Sequence, residues 1–255
     1  RPSGGWMDES DHHAVVARGT RTSRPSLFVD RDEAGDEPGQ GAGRSTGAGA
    51  PARVAGEPLV GRVLSVNIGR VRRIQVGERT AMSAIYKRAV AGDVAVQPFG
   101  LAGDEQADLS VHGGLSKAVY AYPAEHYPWW RRMRALEQVS LFDELEAEPL
   151  PYGALGENLT LSGLLEQDLW IGDCLVFARC VLRVTEPRYP CGKFTATLGM
   201  PSAARLMARE ANCGVYLAVD QPGHLGVGEG FQLVPGSRQL RLVDLFRARM
   251  AGKRL

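Results

Sequence analysis

Residues Leu59–Val90 read LVGRVLSVNIGRVRRIQVGERTAMSAIYKRAV, and this stretch sets the pattern for the ordered part of the chain. Its first eleven residues alternate apolar with small or polar side chains, and β-branched Val recurs. Both features mark a strand with one buried face. The following segment, RRIQVGERTAMSAIYKRAV, breaks at Gly77-Glu78 and predicts a hairpin around that pair. The same texture continues downstream. DVAVQPFGLAGDEQAD predicts a strand and a Gly-rich loop, and SKAVYAYP, WIGDCLVFA and CVLRVTEP predict three more strands. CGVYLAVD and EGFQLVP are expected to pair with each other around PGHLGVGEG. Three short helices complete the pattern. One opens at Pro123-Ala124, runs to about Glu137 and turns Trp129, Trp130 and Met133 inward. Pro128 fits it only where the helix begins or breaks. SAARLMAREA forms the second, with Ser202 as N-cap, and LVDLFRARM the third.

Eight or more short strands with three short helices imply a mainly β fold, mostly antiparallel and barrel-like, with helical decoration. Strands do not alternate with helices, which argues against a doubly wound nucleotide fold. The ordered part carries no dinucleotide or P-loop glycine signature, no G-x-S-x-G and no H-E-x-x-H. Residues 1–57 are dominated by Gly, Ala, Pro and charge, too little apolar surface to offset chain entropy, and predict a disordered tail before a domain at 58–255. The first residue is Arg, which fits a fragment or an over-called reading frame. The His12-His13 pair in that tail makes a poor metal site, because adjacent side chains diverge. The chain has 255 residues, with Lys+Arg 30 against Asp+Glu 29. A net charge of +1 argues against bulk gripping of nucleic acid or an anionic membrane and leaves room for a small basic pocket. No stretch approaches the roughly 18–20 apolar residues of a membrane span, and Arg1–Gly5 lacks secretory-signal order. Four cysteines without a C-x-x-C spacing predict a reducing, cytoplasmic compartment.

Three polar or Gly-rich clusters attached to strands carry the candidate chemistry: Gly103–Tyr127, Gly153–Leu164 and Val184–Phe194. In the third, VTEPRYPCGKF, Cys191 stands between Pro190 and Gly192 with Arg188 and Lys193 nearby. Positive neighbours favour a thiolate, which attacks electrophiles or ligates soft metals; a half-buried structural thiol is the alternative. Cys174 and Cys180 lie in apolar strand contexts and read as small buried hydrophobes, whereas Cys213 is ambiguous. His112 precedes Gly113 and Gly114, which let the backbone approach a ligand closely; it could equally tie two loops together. His126 reads as packed or hydrogen-bonded and His224 as surface. Asn158 in GEN can close a loop or offer its amide to a ligand. Glu157, Asp104 and Glu105 are candidates for supporting acids. Lys117, Arg188 and Lys193 make either an anion site or an ordinary charged surface.

Taken together, GDEQAD, VHGG with KAVYAYP and EHY, then GEN, then EPRYPCGK, in this order, resemble the MOSC domain family, and within it the bacterial YiiM-like proteins. The resemblance covers about Leu59–Pro235. It implies a MOSC-type β-barrel-like fold with a few short helices. It also implies a molybdenum cofactor (molybdopterin) in a cleft, one cysteine ligating the metal, and two-electron reduction of N-hydroxylated purine bases and amidoxime-like substrates. Flavin or haem proteins would donate the electrons. A pyridoxal phosphate association also attaches to the family. Carried onto this chain, the metal ligand is Cys191. His112 and Asn158 border the catalytic site. Arg188, Lys193 and Lys117, with Gly113, Gly114 and Glu157, line the cofactor. YiiM-like proteins often add a helical segment after the domain, which would here be missing or replaced. Two other functions fit the same thiol: a sulfur carrier holding a persulfide on Cys191, and a non-catalytic pterin-binding module.

Overall fold

The computed structural model describes residues 60–107, 113–138 and 149–253. The expected tail, 1–57, lies outside the described residues. In chain order the strands are β1 (Val60–Ile68), β2 (Arg72–Val76), β3 (Arg79–Ser83), β4 (Arg88–Ala89), β5 (Val94–Gln97), β6 (Gly100–Leu101), β7 (Val119–Pro123), β8 (Leu159–Ser162), β9 (Cys174–Phe177), β10 (Val181–Pro187), β11 (Val215–Gln221), β12 (Gly223–Leu225) and β13 (Gly230–Val234). The helices are α1 (Tyr127–Gln138), α2 (Gly192–Leu198), α3 (Ala203–Glu210) and α4 (Leu242–Met250). None of them is long and apolar enough to cross a membrane.

Seven strands close on themselves in the order β13-β9-β10-β11-β7-β8-β1, and β1 pairs back onto β13. Closure removes the unpaired edges that would otherwise invite association. Every pairing in the barrel is antiparallel except β7–β8. The period-2 rule fills the interior with Val63, Leu161, Leu175, Leu182, Val184, Leu217 and Phe231, all buried. The hairpin at Gly77-Glu78 forms as expected, with Val76 opposite Arg79. β12, β5 and β6 form a small separate sheet.

β7 is buried on both faces. Val119 and Ala121 point into the barrel, while Tyr120 and Tyr122 point out into a second core under the helices. That core gathers Trp130 of α1, Phe194 of α2, Met207 of α3 and Phe246 of α4. Its aromatic polar atoms are satisfied. The Tyr120 hydroxyl donates to the Cys213 carbonyl and that of Tyr122 to the Asn212 carbonyl, each at 2.9 Å, and Trp130 Nε1 donates to the Tyr122 hydroxyl at 2.6 Å.

Three expectations need correction. β11 and β13 do not pair: β10 and β7 occupy both edges of β11, β13 closes the barrel between β9 and β1, and the segment between them becomes β12 against β5. Ser202 precedes α3 but does not cap it with its side chain. Its hydroxyl donates to Glu137 Oε2 at 2.5 Å and its backbone N–H to Oε1 at 2.9 Å, tying α3 to α1. Gly192–Phe194, the end of the polar cluster Val184–Phe194, open a helix, α2, that runs on to Leu198. Its burial of Phe194 and Leu198 outweighs the modest helix propensity of its threonines. Pro128 stands in the first turn of α1, after a 3-10 turn at Ala124–His126, where its missing N–H costs nothing.

Candidate functional site

A cleft lies against the outer side of the β7–β11 pair, outside the barrel interior. Tyr120 and Tyr216, directly opposed in register, form part of its wall with ring centroids 5.3 Å apart. Ser83 ends β3, Ala84, Ile85 and Lys87 come from the β3–β4 connection, and Asp104–Ala107 from the loop after β6. Lys117 precedes β7, Gly156 and Asn158 precede β8, and Arg188, Cys191 and Lys193 follow β10.

The Cys191 loop has clear local causes. Pro187 and Pro190 stop the strand from continuing. Tyr189 stacks on Phe246 of α4, with rings 5.8 Å apart and nearly parallel. Cys191 then adopts an extended conformation as the residue preceding α2, and buried Phe194 anchors that helix. The thiol is half-buried, faces the cleft and forms no disulfide. Cys180 and Cys213 are buried, as expected for Cys180, while Cys174 is only partly so. Burial pushes all three of those thiols up, away from the thiolate.

Arg188 is the most informative cation. It is 4% exposed, and its guanidinium lies over the rings of Phe194 and Tyr120, 4.7 and 4.9 Å from their centroids. Nη1 donates to the Leu155 carbonyl at 3.0 Å. Among the described residues no carboxylate pairs with it. Cys191 is close enough to interact with its charge. A buried arginine without an acid is costly unless an anion completes it. Burial pushes the phenols of Tyr120 and Tyr216 up, so both stay protonated.

The floor is a hydrogen-bonded network. Lys87 Nζ meets Asp104 Oδ1 and Oδ2 at 2.5 and 2.7 Å. Asp104 also accepts from Gly69 N at 2.7 Å and Asn158 Nδ2 at 2.9 Å. Asn158 accepts from Tyr120 N at 3.1 Å and donates also to the Asn67 carbonyl at 3.2 Å. Its amide therefore joins β1, β7 and the Asp104 loop. Glu105 binds Arg70 and Val71 N, and the Arg70 contact holds its carboxyl below the ordinary value. Gly156 has φ +84°, and a Cβ there would stand 2.7 Å from Ile85 Cγ1, so the GALGEN loop closes against Ile85 only as glycine.

Of the residues singled out in the sequence, the structure brings Cys191, Arg188, Lys193, Lys117 and Asn158 to one cleft. Lys193 Nζ donates to the Met82 carbonyl at 3.2 Å, and Lys117 is 3.6 Å from Glu186. Glu157 is fully buried and does not line the cleft. It accepts from Tyr127, from Gly153 N and from Thr160, and burial pushes its carboxyl up. Gly114 takes φ +83° and donates to Gln106 Oε1 at 3.1 Å; neither it nor Gly113 lines the cleft. His112 lies outside the described residues. His126 bonds Glu166 at 2.7 Å, as expected, and His224 is exposed on β12. Lys87, Tyr120 and Tyr216 were not anticipated; a lone lysine in AIYKRAV gives only a weak signal.

A family model described as "MOSC domain" matches residues 108–232. The chain is 34% identical to the uncharacterized protein YflK of Bacillus subtilis, spanning 68% of this chain and 72% of that protein. It is 35% identical to protein YiiM of Escherichia coli, spanning 64% and 68%. It is 34% identical to a protein of Gibberella moniliformis named "Reductase", but spans only 30% of that longer chain. Among solved structures, YiiM from Geobacillus stearothermophilus superposes with a TM-score of 0.59 at 28% identity, over 75% of this chain and 85% of that one. Cys191, Arg188, Asn158 and both cleft tyrosines fall inside the matched segment, whereas Lys87 and Asp104 precede it.

Proposed function

The chain belongs to the MOSC domain family and is YiiM-like, and on that premise we propose that it is a molybdenum-cofactor-dependent oxidoreductase that reduces N-hydroxylated compounds, with Cys191 as the metal ligand. The observation that carries this reading is the pairing of one half-buried, cleft-facing thiol with a buried arginine that has no acidic partner among the described residues. No three His, Cys, Asp or Glu side chains of the described residues group as a metal site. In this reading Cys191 would give the metal one soft protein ligand, and the cofactor would supply the others. A phosphorylated pterin brings the anion that Arg188 is missing, with Lys193 and Lys117 at the same wall.

When bound, the cofactor supplies two-electron redox chemistry at its metal. The residues of the chain bind, orient and screen. Arg188 holds the anionic end through a fork that Tyr120 and Phe194 keep from rotating. Asn158 fixes the wall between β7 and the Asp104 loop. Tyr120 and Tyr216 would meet a planar, uncharged base at the cleft wall, and a flavin or haem protein outside the cleft is the electron donor in this reading. The relative named "Reductase" supports a redox role.

The test is purification of the full chain from a host that makes the cofactor, followed by elemental analysis. Reduction of an N-hydroxylated purine base is then assayed with a reduced viologen. The expected result is stoichiometric molybdenum and turnover, both lost in Cys191→Ser with the fold intact. Persulfide sulfur on Cys191 without molybdenum would instead support the sulfur carrier.

A further inference from the structure

A second side chain in the cleft has the placement of an acid–base group. Lys87 lines the same cavity as Cys191, and its side chain is 8% exposed. Two of its three N–H groups are engaged by the two oxygens of Asp104. That carboxylate is itself fixed by Gly69 N and Asn158 Nδ2. One N–H remains for the cavity the side chain lines. Three other groups of the wall, Tyr120, Tyr216 and Arg188, are poorly suited to giving up a proton near neutrality. The phenols of Tyr120 and Tyr216 are pushed up by burial, and a guanidinium such as Arg188 does not deprotonate.

We propose that Lys87, held by Asp104, is the proton donor to the departing hydroxyl of the N-hydroxylated substrate. This rests on the reductase reading above. In balance, one substrate N–OH group, two electrons and two protons give one N–H group and one water. The N–O bond breaks, and two electrons from an external flavin or haem donor, or from reduced viologen in the assay, reduce the nitrogen. The Nζ proton goes to the leaving oxygen, which departs as water. A solvent proton completes the N–H bond, and a second solvent proton restores the ammonium. The charged groups facing Lys87 are Asp104 from the loop after β6, Glu157 from the loop before β8 and Arg188 after β10. Burial lowers its ordinary pKa, the two acids oppose that, and Arg188 reinforces it. The donor thus sits nearer the working pH than a free lysine.

Three measurements on the full chain test the assignment. In the apoprotein, side-chain NMR of isotope-labelled lysine should show Lys87 titrating below the other lysines, and further below in Asp104→Asn. In the loaded enzyme, Lys87→Ala should lower kcat by roughly 10²- to 10⁴-fold, with KM and molybdenum content unchanged and the basic limb of the kcat profile gone. Added small alkylamines should restore part of the rate. Lys87→Met/Asp104→Asn, which removes both charges of the buried pair, should show the same kcat loss. Unchanged kcat in these variants, loss of molybdenum in step with activity, or ordinary titration of Lys87 would overturn the assignment and leave the reductase reading standing. A wild-type protein with neither molybdenum nor turnover would remove both.

Discussion

Asp104→Ala is the perturbation whose size follows most directly from the structure. The Lys87 and Asp104 side chains are 8% and 4% exposed, so solvent screens the pair little. Removing the carboxylate leaves a buried ammonium without its counter-charge, and Gly69 N and Asn158 Nδ2 lose their acceptor. Breaking a buried ion pair from one side costs about 3–5 kcal/mol. The Lys87→Met/Asp104→Ala double variant removes both charges and should cost about 0.5–3 kcal/mol less than the sum of the Lys87→Met and Asp104→Ala losses. The pH dependence has a definite sign. Burial lowers the pKa of Lys87 in the folded state below that of the unfolded chain, so the unfolded state binds more protons between the two values. The cost of burying the charge is full below the folded pKa and is relieved as pH rises toward 10.5. That relief should be larger in Asp104→Ala, where the opposing acid is gone. Guanidinium unfolding at a series of pH values from about 7 up to 10.5 follows each contribution. A loss below about 0.5 kcal/mol in Asp104→Ala, the ordinary range for a surface change, or one that grows with pH, would refute the reasoning.

Glu157→Gln should be close to neutral in stability near pH 4.5 and stabilising at about pH 8, since burial raises the Glu157 pKa and its contribution is lost as pH rises through that value; thermal unfolding across this range reads the difference. The amide oxygen can keep the three donors, from Tyr127, Gly153 and Thr160, that now meet Oε1. Gly156→Ala forces a positive φ on an L-residue and a Cβ into Ile85, costing about 1–2 kcal/mol for the backbone alone. At about 2–4 °C per kcal/mol this should lower Tm by several degrees in a scanning experiment. Arg188→Ala should lose pterin content at least tenfold, read by fluorescence of the released, oxidised pterin. It should also destabilise the chain, because Phe194 and Tyr120 lose the side chain between them.

What the sequence made legible was local. β1 and the Gly77-Glu78 hairpin follow from alternation and one turn. β7 was recognised as a strand, but alternation also decides that Tyr120 leaves the barrel while Val119 enters it. Pairing was less legible, because a strand carries no label for its neighbour. CGVYLAVD and EGFQLVP look like a hairpin across a Gly-rich turn, yet closure places β9 and β1 beside β13 instead. α2 was hidden because its stability comes from Phe194 and Leu198 in the second core. The cleft was half visible. Cys191, Arg188 and Lys193 share one short segment, while Lys87, Asp104, Tyr120 and Tyr216 converge from four distant ones. Proximity in sequence also misled. Glu157 adjoins Asn158, but in the loop before β8 its carboxylate turns inward to Tyr127, Gly153 N and Thr160, away from the cleft.

X-ray absorption at the molybdenum edge, on the full chain made in a cofactor-competent host, bears most directly on Cys191. The account predicts one protein thiolate in the metal's coordination shell, absent from whatever molybdenum Cys191→Ser retains. An identical sulfur shell in that variant, or a wild-type protein that acquires no molybdenum, would contradict it.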